Sequence, residues 1–202
     1  VFVTDRVTEP EQIERVLSFR WDTGELLWSH AYDCPYRDVS YTAGPRASVA
    51  VHDGLAYALG TMGHLHCLEA ATGKVVWKKD LNAIYQIRMP IWGIAASPVI
   101  YQDLVIIQVG GANNACLVAF DRRTGKERWR SLEDRPGYAT PILVERAGRS
   151  LLVCWTADNV VGLDPDSGKP RWHYPYPPKN MPLAIAAPVA DGERLFVSGF
   201  YE

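Results

Sequence analysis

The sequence predicts an all-β protein built from about four tandem repeats, each contributing four short antiparallel strands. Two observations favour this fold class. No long stretch of the chain has the 3.6-residue periodicity of an amphipathic helix. A Thr/Ser-Gly-x-x-x-Trp motif occurs four times, about 43 to 52 residues apart, and ends at Trp28, Trp77, Trp129 and Trp172.

The residues before each motif predict the third strand of each repeat. Four positions ahead of the Thr or Ser, the residue is always large and apolar: Phe19, Leu68, Phe120 and Leu163. Five positions ahead it is always small: Ser18, Cys67, Ala119 and Gly162. Successive side chains in a strand alternate between its two faces. The small column therefore predicts a close neighbour on one face, and the large column a filled core on the other.

The motif itself predicts a tight hairpin between this third strand and a fourth strand that carries the Trp. Glycine adopts positive φ without the steric penalty of a Cβ atom, and the polar residues before it can bond the turn backbone. The four turn glycines are Gly24, Gly73, Gly125 and Gly168.

A second set of hairpins predicts the first two strands of each repeat. They pair residues 47–51 with 55–59, 97–100 with 104–109, 140–144 with 151–155, and 187–190 with 195–198. We name the four strands of a repeat A to D in chain order. Tandem four-stranded units of about 40 to 50 residues are typical of a β-propeller, in which each unit is one blade.

Residues 1–202 are interpreted as one propeller domain, with a short helical turn predicted at 10–15. A closed ring has no free edges, and propellers have about 4 to 8 blades. We therefore expect about four blades of a seven- or eight-bladed ring, completed by further chain or by a second copy; a four-bladed ring is the remaining alternative. The approximate repeats are 1–40, 41–90, 91–135, 136–180 and 181–202, of which the first and last are partial blades with B strands at 1–4 and 195–200.

One motif resembles a known repeat closely. Residues 119–129, Ala-Phe-Asp-Arg-Arg-Thr-Gly-Lys-Glu-Arg-Trp, match the pattern A-x-D-x-x-T-G-K-x-x-W of the pyrroloquinoline quinone (PQQ) repeat, and 18–28, 67–77 and 162–172 match it with substitutions. The chain thus resembles the PQQ-like propeller superfamily, which includes quinoprotein dehydrogenases and BamB-like outer-membrane assembly proteins. The resemblance implies that the four motif tryptophans dock between blades and that the four turn glycines brace the neighbouring blade.

If the strands run A to D outward from the axis, the B–C and D–A loops share one face, which we call the loop-rich face. Candidate cofactor-binding residues there are Arg88, Trp92, Asn113, Asn114, Asp158 and Asn159. By resemblance, a quinoprotein dehydrogenase holds its quinone against a Trp and binds calcium through Glu and Asn oxygens. Trp92, Asn113, Asn114 and Asp158 would imitate parts of that site, because calcium takes carboxylate and amide oxygens.

The chain departs from that dehydrogenase pattern in several ways. It has no adjacent cysteine pair, no Cys-x-x-Cys-His and no Glu placed by a matching motif. The structural alternative is that Trp92 packs on its own loop, and that Asn113, Asn114 and the Asp158-Asn159 pair are turn residues that tolerate left-handed backbone. No residue is assigned as catalytic.

Composition excludes other function classes. The net charge is −2, and no basic cluster is longer than two residues, so nucleic acid is not expected as a partner. No apolar run approaches the roughly 18 residues of a membrane-spanning helix. The four cysteines are scattered without Cys-x-x-Cys spacing, and His64 and His66 share a strand face without a third ligand, so no metal site is predicted.

Two functional hypotheses follow. The first is a non-catalytic propeller, without cofactor, that acts as a protein-interaction or scaffold module for a protein partner whose identity the sequence leaves open. The alternative is part of a PQQ- and calcium-dependent quinoprotein alcohol or polyol dehydrogenase. The resemblance implies a periplasmic or cell-envelope location for either.

Overall fold

The computed structural model describes residues 1–177, 181 and 183–199, which form five antiparallel sheets in chain order. Blade 1 has three strands: β1 (Phe2–Val7), β2 (Ile13–Phe19) and β3 (Leu26–Asp33). Blade 2 has four: β4 (Ala50–His52), β5 (Leu55–Leu59), β6 (His64–Glu69) and β7 (Val75–Asp80). The helix α1 (Leu81–Tyr85) follows.

Blades 3 and 4 are also four-stranded. Blade 3 contains β8 (Val99–Tyr101), β9 (Leu104–Gly111), β10 (Ala115–Asp121) and β11 (Glu127–Ser131). Blade 4 contains β12 (Ile142–Arg146), β13 (Arg149–Trp155), β14 (Asn159–Leu163) and β15 (Pro170–Pro175). The pair β16 (Val189–Asp191) and β17 (Arg194–Phe196) forms the described part of blade 5. The all-β fold with four-stranded antiparallel blades is confirmed, and the chain is a partial propeller of about four blades.

The structure differs from the sequence-based expectation at three places. The helical turn predicted at 10–15 is wrong, because β2 already begins at Ile13. The helix α1 was not predicted; at five residues it is too short for a periodic signal, and it begins where the Asp80 side chain accepts a hydrogen bond from the Ala83 amide. The last strand is predicted at 195–200, but β17 ends at Phe196 and residues 197–199 are not in a strand; residue 200 lies outside the described residues.

The small residue of each C strand lies directly opposite the motif Trp. The pairs are Ser18 with Trp28, Cys67 with Trp77, Ala119 with Trp129, and Gly162 with Trp172. In each blade the register shifts immediately after this pair. At Gly162 a Cβ atom would overlap the Trp172 ring. The close neighbour predicted from the small column is therefore the indole on the adjacent strand.

The apolar core lies in layers between blades. The layer between blades 2 and 3 includes Leu59 and Leu65 on one side and Val105, Ile107 and Phe120 on the other. A second layer joins blades 3 and 4, and a smaller one joins blades 1 and 2. Burying each such side chain contributes about 1.5–3 kcal/mol, so the stacking of blades fixes the geometry of the loops at their ends.

Candidate functional site

Three of the four motif tryptophans contact the blade that follows them. Each indole N–H donates to a backbone carbonyl in the next C–D turn. The bonds are Trp28 Nε1 to Ala70 O at 3.1 Å, Trp77 Nε1 to Arg122 O at 3.0 Å, and Trp129 Nε1 to Pro165 O at 3.0 Å. The contact repeats from blade to blade with nearly constant length.

The same three indoles cover the glycine of the next turn. A Cβ atom added to Gly73 would lie 2.6 Å from the Trp28 ring, and one added to Gly125 would lie 2.8 Å from the Trp77 ring. Gly168 has the same relation to Trp129. All three glycines have positive φ, near +70°. Backbone conformation and the covering ring therefore both require glycine at these positions.

Two motif residues have no such partner among the described residues. A Cβ atom added to Gly24 would meet nothing within 4 Å. Trp172 is 39% exposed. The role of the motif in holding blades together stays a prediction.

On the loop-rich face, Trp92 is held between two neighbouring loops. Its carbonyl accepts a hydrogen bond from Arg46 Nη1 at 2.7 Å, and its amide donates to the Tyr138 hydroxyl at 3.4 Å. The Trp92 and Tyr138 rings lie 5.3 Å apart. Burial raises the pKa of Tyr138. Trp92 thus packs against the loop that leads into blade 4, and only part of its surface is open to solvent.

Asp158 and Asn159 belong to a different set of contacts. Asp158 Oδ1 lies 2.5 Å from Arg135 Nη2, and the hydrogen bond to Arg135 holds the carboxyl pKa below its usual value. The Asn159 amide group donates to Asp134 Oδ2 at 2.7 Å. The same Asp134 oxygen accepts from the Thr156 hydroxyl at 2.6 Å. Both candidates therefore serve to hold the loop before blade 4 against the B–C turn of that blade.

The remaining candidates are solvent-facing. Asn113 and Asn114 form the B–C turn of blade 3 with φ of 57° and 60°, and both are exposed. Arg88 is exposed in the loop after α1. Within the described residues, no hydrogen bond, ion pair or ring contact joins Trp92 to the asparagines or to Asp158. No group of three or more His, Cys, Asp or Glu in that part of the chain could hold a metal ion.

A buried carboxylate at the junction of blades 1 and 2 was missed by the sequence reasoning. Glu14 is fully buried and accepts hydrogen bonds from the Tyr32 hydroxyl at 2.7 Å, the Tyr36 hydroxyl, and the Thr61 amide at 3.2 Å. Burial first, and the adjacent carboxylate second, raise the pKa of both tyrosines. A Cβ atom on Gly60 would overlap Glu14. The sequence does contain a signal for this site. Glu14 lies two residues before Val16 and four before Ser18, so the three side chains share one face of the strand.

Comparison with known families identifies the fold. Residues 12–202 match the family model described as outer membrane protein assembly factor BamB. The chain belongs to this family of PQQ-like propellers. Among solved structures, this PQQ-like chain is similar to BamB from Moraxella catarrhalis, with a TM-score of 0.62 and 17% identity over 98% of this chain and 58% of that one.

Quinone-dependent enzymes are also relatives of this PQQ-like chain. It is 31% identical to 1-butanol dehydrogenase (quinone) of Thauera butanivorans over 146 residues, which is 65% of this chain and 23% of that protein. The structure of quinohemoprotein alcohol dehydrogenase from Comamonas testosteroni gives a TM-score of 0.60 at 21% identity, covering 86% of this chain and 33% of that one. The chain thus spans about a quarter of the length of the curated relatives that it matches.

Proposed function

We propose that this protein is a non-catalytic PQQ-like propeller that serves as a protein-interaction or scaffold module in the bacterial cell envelope. The observation that carries the proposal is that the six candidate residues are either held in loop contacts or exposed to solvent. Asp158 and Asn159 are engaged in loop contacts, the Trp92 ring lies against Tyr138, and Asn113, Asn114 and Arg88 point to solvent without a shared partner. Among the described residues, no contact joins Trp92, the Asp158-Asn159 pair and the asparagines of blade 3 in a common site.

The envelope location is supported by similarity. The matching family model is described by its role in outer membrane protein assembly. A solved BamB structure covers nearly the whole chain. In the described residues, no helix has the length and apolar character needed to cross a membrane.

We place the interaction surface on the loop-rich face around Arg46. Tyr41 is 56% exposed and Ile91 is 45% exposed. The Ser40 amide, next to Tyr41, donates to the Ile91 carbonyl at 2.7 Å, while Arg46 stacks on the Tyr41 ring and binds the Tyr41 carbonyl. Protein interfaces are enriched in Tyr, Trp and Arg, and rigid anchors lose little entropy on binding. This surface presents such residues in fixed positions.

The test is in-cell crosslinking followed by mass spectrometry, with a photoreactive residue placed at Tyr41. We expect a specific adduct with an envelope protein that is lost on Ile91→Asp. The matched control is Val76→Asp, which places the same charge at an exposed site on the edge strand β7. No adduct, or equal loss with the control, would contradict the proposal.

The second candidate is part of a PQQ- and calcium-dependent quinoprotein dehydrogenase, favoured by the 31% identity to a butanol dehydrogenase. The residues described here do not fit that cofactor pair by themselves. The oxygen ligands calcium prefers are not gathered, and Arg135 already neutralises Asp158. Dye reduction with an alcohol, PQQ and Ca²⁺ tests this candidate: activity lost on Trp92→Ala would favour it over the scaffold.

A further inference from the structure

The proposed interaction surface is formed by two loops that bond to each other. The first loop, residues 34–49, leads into blade 2, and the second, residues 86–98, leads into blade 3. The Ser40 amide donates to the Ile91 carbonyl at 2.7 Å, and Arg46 Nη1 donates to a carbonyl of the second loop, also at 2.7 Å. These bonds hold the loops in one arrangement, so their exposed side chains form a single surface.

The arginines of these two loops have no carboxylate partner among the described residues. Most arginines of this chain pair with Asp or Glu. Arg37 and Arg88 are exposed and have neither a hydrogen bond nor an ion pair in the described part of the chain. Arg46 donates to backbone carbonyls. Asp38 is the one carboxylate in the two loop sequences, so the surface is positive although the chain as a whole is at −2.

A single extended segment can reach all three arginines. Arg37 is three residues from Ser40, and Arg88 is three residues from Ile91. An extended chain advances at most about 3.6 Å per residue, so each lies within about 11 Å of the bond between the loops. Arg46 lies at that junction. A bound segment of about eight residues would span about 27 Å, which covers the distance.

The surface between the arginines is apolar and fixed. Tyr41 and Ile91 are both exposed, and Trp92 is partly exposed. The Arg46 guanidinium lies 4.6 Å from the centre of the Tyr41 ring, which holds its charge in place. A guanidinium pairs with a carboxylate through two parallel hydrogen bonds. A ligand that fits this surface therefore combines carboxylates with an apolar side chain.

We propose that this surface binds an acidic segment of the protein partner. Its Asp or Glu residues pair with Arg37, Arg46 and Arg88, while one apolar side chain packs between Tyr41 and Ile91. The inference rests on the proposed interaction function and names the chemistry of its partner. An anionic membrane is the competing ligand, but basic patches that bind lipid headgroups carry about four to eight Lys or Arg residues, and these loops contain no Lys.

Fluorescence anisotropy tests the inference with a labelled peptide of Glu residues around a central Leu-Phe pair; a Lys peptide of the same length is the control probe. We expect saturable binding of the Glu peptide alone, weaker as ionic strength rises. The double variant Arg37→Glu/Arg88→Glu should bind at least tenfold more weakly. Arg149→Glu changes another exposed arginine without an ion pair, on β13, and should bind as the wild type does. Circular dichroism establishes that both variants are folded.

Three results would overturn the acidic partner. The first is no binding of the Glu peptide at millimolar concentration. The second is equal affinity in the folded double variant and in Arg149→Glu. The third is binding of phosphatidylglycerol vesicles by the wild type without binding of the Glu peptide.

Crosslinking from Tyr41 separates this inference from the proposed function. An adduct lost in Arg37→Glu/Arg88→Glu but kept in Arg149→Glu, with the crosslinked peptide of the partner rich in Asp and Glu, would support the inference. An adduct kept by both variants would leave the interaction function standing and overturn the acidic partner. No adduct in the wild type would contradict the proposed function, and this inference with it.

Discussion

The interface between blades 1 and 2 contains a polar network, whereas the interface between blades 2 and 3 is mainly apolar. The first holds Glu14, Tyr32 and His66 beside a small apolar cluster, and the second is filled by side chains such as Ile107 and Phe120. Yet both have the same Trp-to-turn hydrogen bond and the same covered glycine. The motif contact is thus the same at both interfaces, while the side chains packed beside it differ. We predict that the motif holds the blades together and that the other side chains determine how each interface responds to pH.

The largest effect should come from the covered turn glycines. Gly125→Ala places a Cβ atom against the Trp77 ring and forces alanine to φ +69°, so we expect a loss of about 3 kcal/mol in unfolding free energy. Gly24→Ala is the matched control: φ is +72° but the space is open, and a loss of about 1 kcal/mol is expected from backbone strain alone. Urea denaturation measures both. Equal losses would refute a docking role for the motif.

Next in size is the buried carboxylate of the polar interface. Glu14→Gln removes the charge that strengthens the hydrogen bonds from Tyr32 and Tyr36, and we expect a loss of about 2 kcal/mol in unfolding free energy. Glu11→Gln, in the exposed B–C loop of the same blade, is the control and should change stability little. Thermal denaturation of the two variants compares them. If Glu14→Gln leaves the unfolding free energy unchanged, the network does not hold the blades together.

The sequence predicts the strands and turns of the repeated motif, but it does not predict the contacts between loops of neighbouring blades. The C strands and turns could be predicted because the motif imposes a small residue opposite each Trp within about ten residues of chain. The contact of Arg46 with Trp92 joins positions 46 residues apart and depends on how neighbouring blades stack, which no local pattern records. Glu14 was missed because the residues ahead of the motif predict the C strand of blade 1 only from Val16 to Arg20, whereas β2 begins three residues earlier, at Ile13.

The two interfaces should also differ in their response to acid. His66 has a folded-state pKa of about 3, below the unfolded value of 6.5, so the stability it contributes is complete above pH 6.5 and is lost as pH falls towards 3. By pH 5 the loss is about 2 kcal/mol. Denaturation at pH 7 and pH 5 should show this loss in the wild type. The loss should shrink in His66→Gln; an unchanged pH dependence would remove His66 from the explanation.

The smallest effect is expected from a single indole hydrogen bond. Trp77→Phe keeps most of the ring that covers Gly125 but loses the bond to the Arg122 carbonyl, which costs about 1 kcal/mol. Trp172 has no such partner in the described residues, so Trp172→Phe should lower the unfolding free energy by less. Parallel urea titrations of the two variants test the ranking. A larger loss for Trp172→Phe would reverse it.

The most direct test of the non-catalytic account is a titration of the purified protein with PQQ in the presence of Ca²⁺, read by calorimetry and by melting temperature. The account predicts no saturable heat and no change in melting temperature. Saturable binding of one PQQ per chain, with a rise in melting temperature that is lost on Trp92→Ala, would contradict it and place a cofactor site on the loop-rich face.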